Sequence, residues 1–339
     1  MVVTATSIAQ MLALVGGVIA VAALFSGIGE RRSFPQVLLF LAIGLALGPS
    51  GIGVMQVDAQ SPLLRIVATL GLALVLFTDA LALNISDLKA YWRLAFAILG
   101  PGTLLALAII TLSAIQVLQL PLPLALLLAA PLASTDPVLL RTILRRPHLP
   151  PAARVSLRLE SALNDVVLLP VIVAAMLFVE VGNQAMGKLP EVALNTVVIS
   201  PALGALVSFV AVRVLVAVRD QYGIRRDYES LYSLGVCFAA FAAGELVHGS
   251  GYLAAFAAGL VIAIQDVELC DCFQEYGETT AELLLLFTFV LLGASIMWSG
   301  LALATPAVVL FVILALAARW LSLHGVLWVA RLGKRARRL

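Results

Sequence analysis

The chain has 339 residues, of which 62% are hydrophobic and 12% charged, with a mean hydropathy of +1.09. A soluble domain of this length carries about twice that charge and alternates apolar with polar positions, so a water-soluble enzyme or binding module is excluded. The net charge of +2 gives no footprint for nucleic acid, because the basic residues flank apolar runs instead of lining one face.

Apolar runs of roughly 18–25 residues recur, each long enough to cross a ~30 Å hydrocarbon core as a helix. Backbone groups in lipid must be satisfied internally, so repeated runs of this kind dictate an all-α polytopic membrane protein. Eleven spans are predicted, near 7–28, 35–53, 63–84, 92–118, 122–143, 155–180, 192–218, 231–248, 250–265, 280–299 and 303–330. With no soluble appendage between them, residues 1–339 read as a single transmembrane domain.

The first span is preceded by the uncharged MVVTATS and followed by the basic GERRSF, which is the reverse of a cleavable signal peptide. The third carries Asp79 near its end. The fifth, LLLAAPLASTDPVLLRTIL, has Ser134, Thr135 and Asp136 between Pro131 and Pro137. Pro137 removes a backbone donor and clashes with the preceding turn, so the helix should open near Asp136. Open backbone at mid-membrane is tolerated where protein or a water-filled cavity surrounds it, and its carbonyls can there hold a cation. A plain proline kink capped by Thr135 and Asp136 is the bland alternative, but it leaves the cost of the carboxylate uncovered.

The sixth span, RLESALNDVVLLPVIVAA, places Glu160 with Asn164 and Ser161 with Asp165 at helical i, i+4 spacing on adjoining stripes. Ser161 and Asp165 can supply oxygens to one small hard cation. A lone carboxylate such as Asp165 can hold a proton or a metal ion, not both, and that competition is the chemistry an exchanger needs. The eighth and ninth spans are separated only by HGSG and predict a tight hairpin. The segment QDVELCDCFQEYGE (265–278) reads as an acidic loop carrying Cys270 and Cys272; with Cys237 in a span, the three cysteines make no disulfide framework. Arg319 lies in the eleventh span, with His324 beyond it. Ionisable groups at such depth cost roughly 2.5–3.5 kcal/mol each on the lenient insertion scales, so each is a functional candidate or half of a buried pair. His148, His248 and His324 are weaker candidates, better read as loop or packing residues.

The Lys/Arg bias sets the orientation. With the N-terminus outside, eighteen of the 21 basic residues fall on the cytoplasmic side, Arg65 and Lys188 fall outside, and Arg319 lies within a span. The C-terminus is then cytoplasmic.

The pairing of TDP on one span with ES-x-x-ND on the next resembles the monovalent cation:proton antiporter-1 family, of sodium/proton exchanger type. LFTDALAL, HGSGYLAAFAAGL, FTFVLLGA and LAARWLSLH extend the likeness over nearly the whole chain. The resemblance implies an inverted-repeat helical bundle with a discontinuous helix, about 11 of an expected 13 helices being present, with the end of the second repeat missing. It implies exchange of Na⁺ (or Li⁺ or K⁺) for H⁺ by alternating access, in a homodimer of the plasma (inner) membrane, with membrane lipid around it and no cofactor. It places the cation site at Asp136, Ser161 and Asp165, with the backbone of Thr135 and with Asp79. It makes Asn164, where electrogenic relatives carry a second aspartate, the mark of an electroneutral exchanger. Glu160 and Arg319 would form a buried pair, which is physically sensible because a lone arginine at that depth is expensive. Two other classes compete: an ion-binding channel or sensor without coupled exchange, and an intramembrane aspartyl protease. The protease resembles paired YD and GxGD helices, and neither string occurs here.

Overall fold

The computed structural model describes residues 16–17, 20, 24, 36–53, 55, 57–58, 60–83, 98–134, 151–223, 226–265, 267–295, 298 and 305–335. Apart from one isolated parallel bridge between Val57 and Ser295, every described element is helical. In chain order these are α1 (Gln36–Leu47), α2 (Pro62–Leu81), a π turn (Ile98–Gly102) entering α3 (Thr103–Leu118), α4 (Leu122–Ala133) and α5 (Pro151–Val181). A 3-10 turn (Gly182–Gln184) leads to α6 (Ala185–Leu194), a second π turn (Asn195–Ile199), α7 (Ser200–Tyr222), α8 (Arg226–Leu246), α9 (Gly251–Gln265), α10 (Val267–Gly293) and α11 (Pro306–Arg335).

Among the described residues, five helical stretches are long and apolar enough to cross a membrane: Pro62–Leu81, Gly100–Leu118, Leu163–Val181, Ala185–Tyr222 and Tyr276–Gly293. Shorter apolar helices occupy Val37–Leu47, Leu122–Ala133, Gly251–Gln265 and Pro306–Ser322. The protein is an integral, multi-pass membrane protein.

Two boundaries differ from the sequence expectation. The acidic segment at 265–278 is not a loop; from Val267 onward it is the first part of α10. No Gly or Pro interrupts the sequence from Val267 before Gly277, so nothing in it stops a helix. The connection expected between the sixth and seventh spans shrinks to the single turn at Gly182, whose φ of +58° suits a residue without a Cβ.

The chain divides into two compact units, Met1–Val75 with Glu275–Leu303, and Leu76–Gln274 with Ala304–Leu339. In the first, Phe40 packs with Leu286 and Val290, and Leu64 and Val67 with Leu291. The backbones of α1 and α10 nearly touch: a Cβ at Gly44 would collide with Val290 O, and one at Gly293 with Leu41 O.

The second unit contains two packed groups. In one, α7, α8 and α9 pack on one another, and Gly204 lets α7 approach the carbonyl of Ala254 on α9. In the other, α3 packs on α4 and α11, and α4 packs on α5. Its core is Ala106, Leu107, Ile110 and Ala114 of α3, Ala125, Ala129, Ala130 and Ala133 of α4, Leu168 of α5, and Phe311, Ala315 and Ala318 of α11. The alanine stripe on α4 lets neighbouring helices come close, as small residues do in membranes. This second group positions the polar residues.

Candidate functional site

α4 stops at Ala133, and Ser134 turns out of the helix with φ −82° and ψ 155°. The reason can be read from the next few residues. In a continuing helix the carbonyl of Ala133 would take its proton from the N–H of residue 137, and residue 137 is proline. The orphaned carbonyl finds other donors. Asn164 of α5 donates its Nδ2 proton to Ala133 O at 3.3 Å, and Arg319 of α11 donates from Nη1 to the same oxygen. The break therefore opens at Ala133 and Ser134, slightly before the expected position. Thr135, Asp136 and Pro137, which the sequence reading placed in the site, lie outside the described residues.

α5 runs unbroken past the opening. Its Glu160 is buried, and Arg319 Nη2 approaches Glu160 Oε1 to 3.6 Å. One guanidinium thus touches a carboxylate on α5 and a carbonyl at the end of α4, so three helices meet on it. Five donors in a rigid fork make arginine suited to that double task. The sequence reading paired Glu160 with Arg319 but did not see the link to α4.

One turn along α5, Asp165 is half-buried and its Oδ1 accepts a hydrogen bond of 2.7 Å from Ser134 Oγ. Ser134 was not singled out from sequence, although it stands directly before TDP. Ser161 and Asn164 are buried, and among the described residues Ser161 Oγ and Asn164 Oδ1 have no hydrogen-bond partner. Two orphaned oxygens beside a carboxylate and an opened helix end are costly in apolar surroundings unless something binds them. Oxygen donors of this kind suit a small hard cation. Asp79 sits in the last turn of α2, half-buried between the fully buried Thr78 and Ala80.

Residues 18–338 match the family described as sodium/hydrogen exchanger, transmembrane. The chain belongs to that family. Among curated proteins, it is 24% identical over 258 residues to the Na⁺/H⁺ antiporter NhaG of Bacillus atrophaeus, a match that covers 72% of this chain and 47% of NhaG. The chain thus spans about half the length of that curated relative. Among solved structures, the sodium proton antiporter MjNhaP1 of Methanocaldococcus jannaschii at pH 8 superposes with a TM-score of 0.77 at 21% identity, over 94% of this chain and 81% of that one. An electron-microscopy structure of the same antiporter gives 0.65 at 22% identity, over 84% and 69%. The exchanger-family fold is therefore shared, and the family consists of transporters, not enzymes.

Proposed function

We propose that this protein is a secondary transporter exchanging Na⁺, or a related monovalent cation (Li⁺ or K⁺), for H⁺ by alternating access, with one cargo held at a time on Asp165. The observation that carries the reading is the position of Asp165: a carboxylate on an intact helix, facing the end of a broken one, with orphaned oxygens of Ser161 and Asn164 on the same helix. Asp165 binds cation or proton in competition. Ser161 contributes an oxygen to the cation, and Asp136, the backbone of Thr135 and Asp79 complete its surroundings. Asn164 is neutral and ties down the helix end, and Glu160 is paired with Arg319, so Asp165 is the one carboxylate of this part of α5 left to exchange cargo and exchange is electroneutral.

Both compact units belong to one antiporter domain in this reading, which works as a homodimer in the plasma membrane with the N-terminus outside and the C-terminus cytoplasmic. No cofactor takes part. The likeness to NhaG and to MjNhaP1, both named as sodium/proton antiporters, supports the choice of cargo. An ion-conducting channel or a sensor remains the rival class. Purified protein in vesicles under an imposed Na⁺ gradient separates them, because only an exchanger couples the downhill flow of Na⁺ to proton flow in the opposite direction. Absence of Na⁺-driven proton flux in the reconstituted protein would sink the reading, and so would flux that survives in Asp165→Asn.

A further inference from the structure

Several described hydroxyls within the helices bond their own backbone. Ser113 donates to Ile109 O, Ser322 to Ala318 O, Thr280 to Tyr276 O and Thr288 to Leu284 O, each four residues back and at 2.8–2.9 Å. Ser134 departs from this habit. Its backbone has left the helix, its N–H is anchored on Pro131 O at 3.2 Å, and its hydroxyl reaches another helix to donate to Asp165 Oδ1. Ser161, one turn before Asp165 on α5, is in the opposite condition, buried with no hydrogen-bond partner among the described residues. One hydroxyl is committed to the carboxylate and the other is held in reserve.

We infer that the Ser134 hydroxyl stands in for the cargo: it holds the ionised Asp165 while the site is between ions and turns away when a cation or a proton arrives. The inference rests on the reading of Asp165 as the ion-carrying group. Any exchanger that holds cation and proton on one carboxylate must pass through a state in which neither is bound. That state leaves a negative charge on a half-buried group, and a donated proton within hydrogen-bond reach helps to relieve it. A hydroxyl suits the task because it carries one proton and two lone pairs. Rotation about its Cα–Cβ and Cβ–Oγ bonds lets the hydroxyl donate to the empty carboxylate and swing clear when cargo binds. No bond is made or broken, and the helix end need not move. Ser134 is thus a positioning residue that eases release, whereas Ser161 is placed as a ligand.

The two roles predict opposite signs. Without the Ser134 hydroxyl the empty site is less stable, so cargo is held more tightly and leaves more slowly. The test is equilibrium binding of radiolabelled Na⁺ to the purified protein, together with Na⁺-driven exchange in vesicles, at a pH alkaline enough that protons no longer compete. Ser134→Ala is expected to bind Na⁺ on the order of tenfold more tightly, the range set by hydrogen bonds to charged groups, with an apparent KM that falls and a maximal rate that falls with it. Ser134→Thr, which keeps the hydroxyl, should restore most of both. Weaker Na⁺ binding by Ser134→Ala would make the hydroxyl a simple ligand and overturn the inference. Unchanged binding with a lowered melting temperature would overturn it too, leaving Ser134 as a tie between α4 and α5. Wild-type protein that binds no Na⁺ would instead remove the reading of Asp165, and this inference with it.

Discussion

Two helix ends in the second unit are closed in different ways. At the turn between α8 and α9 the chain closes itself: His248 N–H bonds Glu245 O at 2.9 Å and Gly249 N–H bonds Gly244 O at 3.2 Å, with His248 in the left-handed region at φ +53°. This is the Schellman pattern, which satisfies terminal carbonyls from within a few residues. Around it, Ser200 Oγ accepts from Ser250 N–H, and Ser208 Oγ donates to Ala258 O at 2.9 Å, all neutral contacts between closely packed helices. At Ala133 the described donors to the last helical carbonyl are not local. The donors come from residues 31 and 186 positions away, and one is a charged guanidinium. A self-closed end keeps its shape whatever its neighbours do. An end closed by distant partners holds only while those partners stay in place, which suits the proposed transport site.

The most direct way to break this contrast is at the carboxylate. Asp165→Asn keeps size and polarity but neither titrates nor balances a cation, so Na⁺-driven proton flux should vanish while the protein still purifies as a folded monodisperse species. Next in size is the clamp. Arg319→Leu leaves Glu160 without its ion pair and Ala133 O short of a donor, and should destabilise the fold by about 3–5 kcal/mol, read as a large loss of detergent-soluble protein and melting temperature. Exchanging the charges, Glu160→Arg with Arg319→Glu, should recover only part of the loss, because glutamate cannot donate to Ala133 O. Full recovery would show that the link to α4 is idle.

In the self-closed region the effects should be smaller and should leave the Na⁺ dependence of exchange alone. Gly204→Leu forces a side chain against Ala254 O and should cost about 1–3 kcal/mol by overpacking. Ser208→Ala removes one neutral hydrogen bond, about 1 kcal/mol. His248→Gly relieves the left-handed backbone and should raise stability slightly, by less than about 1 kcal/mol once glycine's entropy is counted, read as a small rise in melting temperature. A change in KM for Na⁺ in any of these three would show that the two regions are not energetically separate.

What could be read from sequence follows the same division. Glu160, Ser161, Asn164 and Asp165 share an unbroken helix, so their spacing alone placed them together. The break was legible from Pro137, and the rule that proline deprives the carbonyl four residues back identifies Ala133 as the orphan. Its partners were less legible, because the Asn164 and Arg319 contacts are made by folding and not by spacing. Ser134 was overlooked for that reason, its partner lying 31 residues on. The start of α10 departs from the loop expected at 265–278 because high charge does not stop a helix, and the acidic run holds no helix breaker before Gly277.

The second π turn has a mechanical consequence. Ala185–Tyr222 is a helical run of 38 residues, which at 1.5 Å per residue is about 57 Å long, whereas the hydrocarbon core is only ~30 Å thick. Even a steep tilt cannot hide that length, so part of the run must stand in the headgroups or in water. The end carrying the exposed Lys188 and Glu191 is suited to that position. The turn at Asn195–Ile199, where Ser200 Oγ bonds Asn195 O, then falls near the waterline.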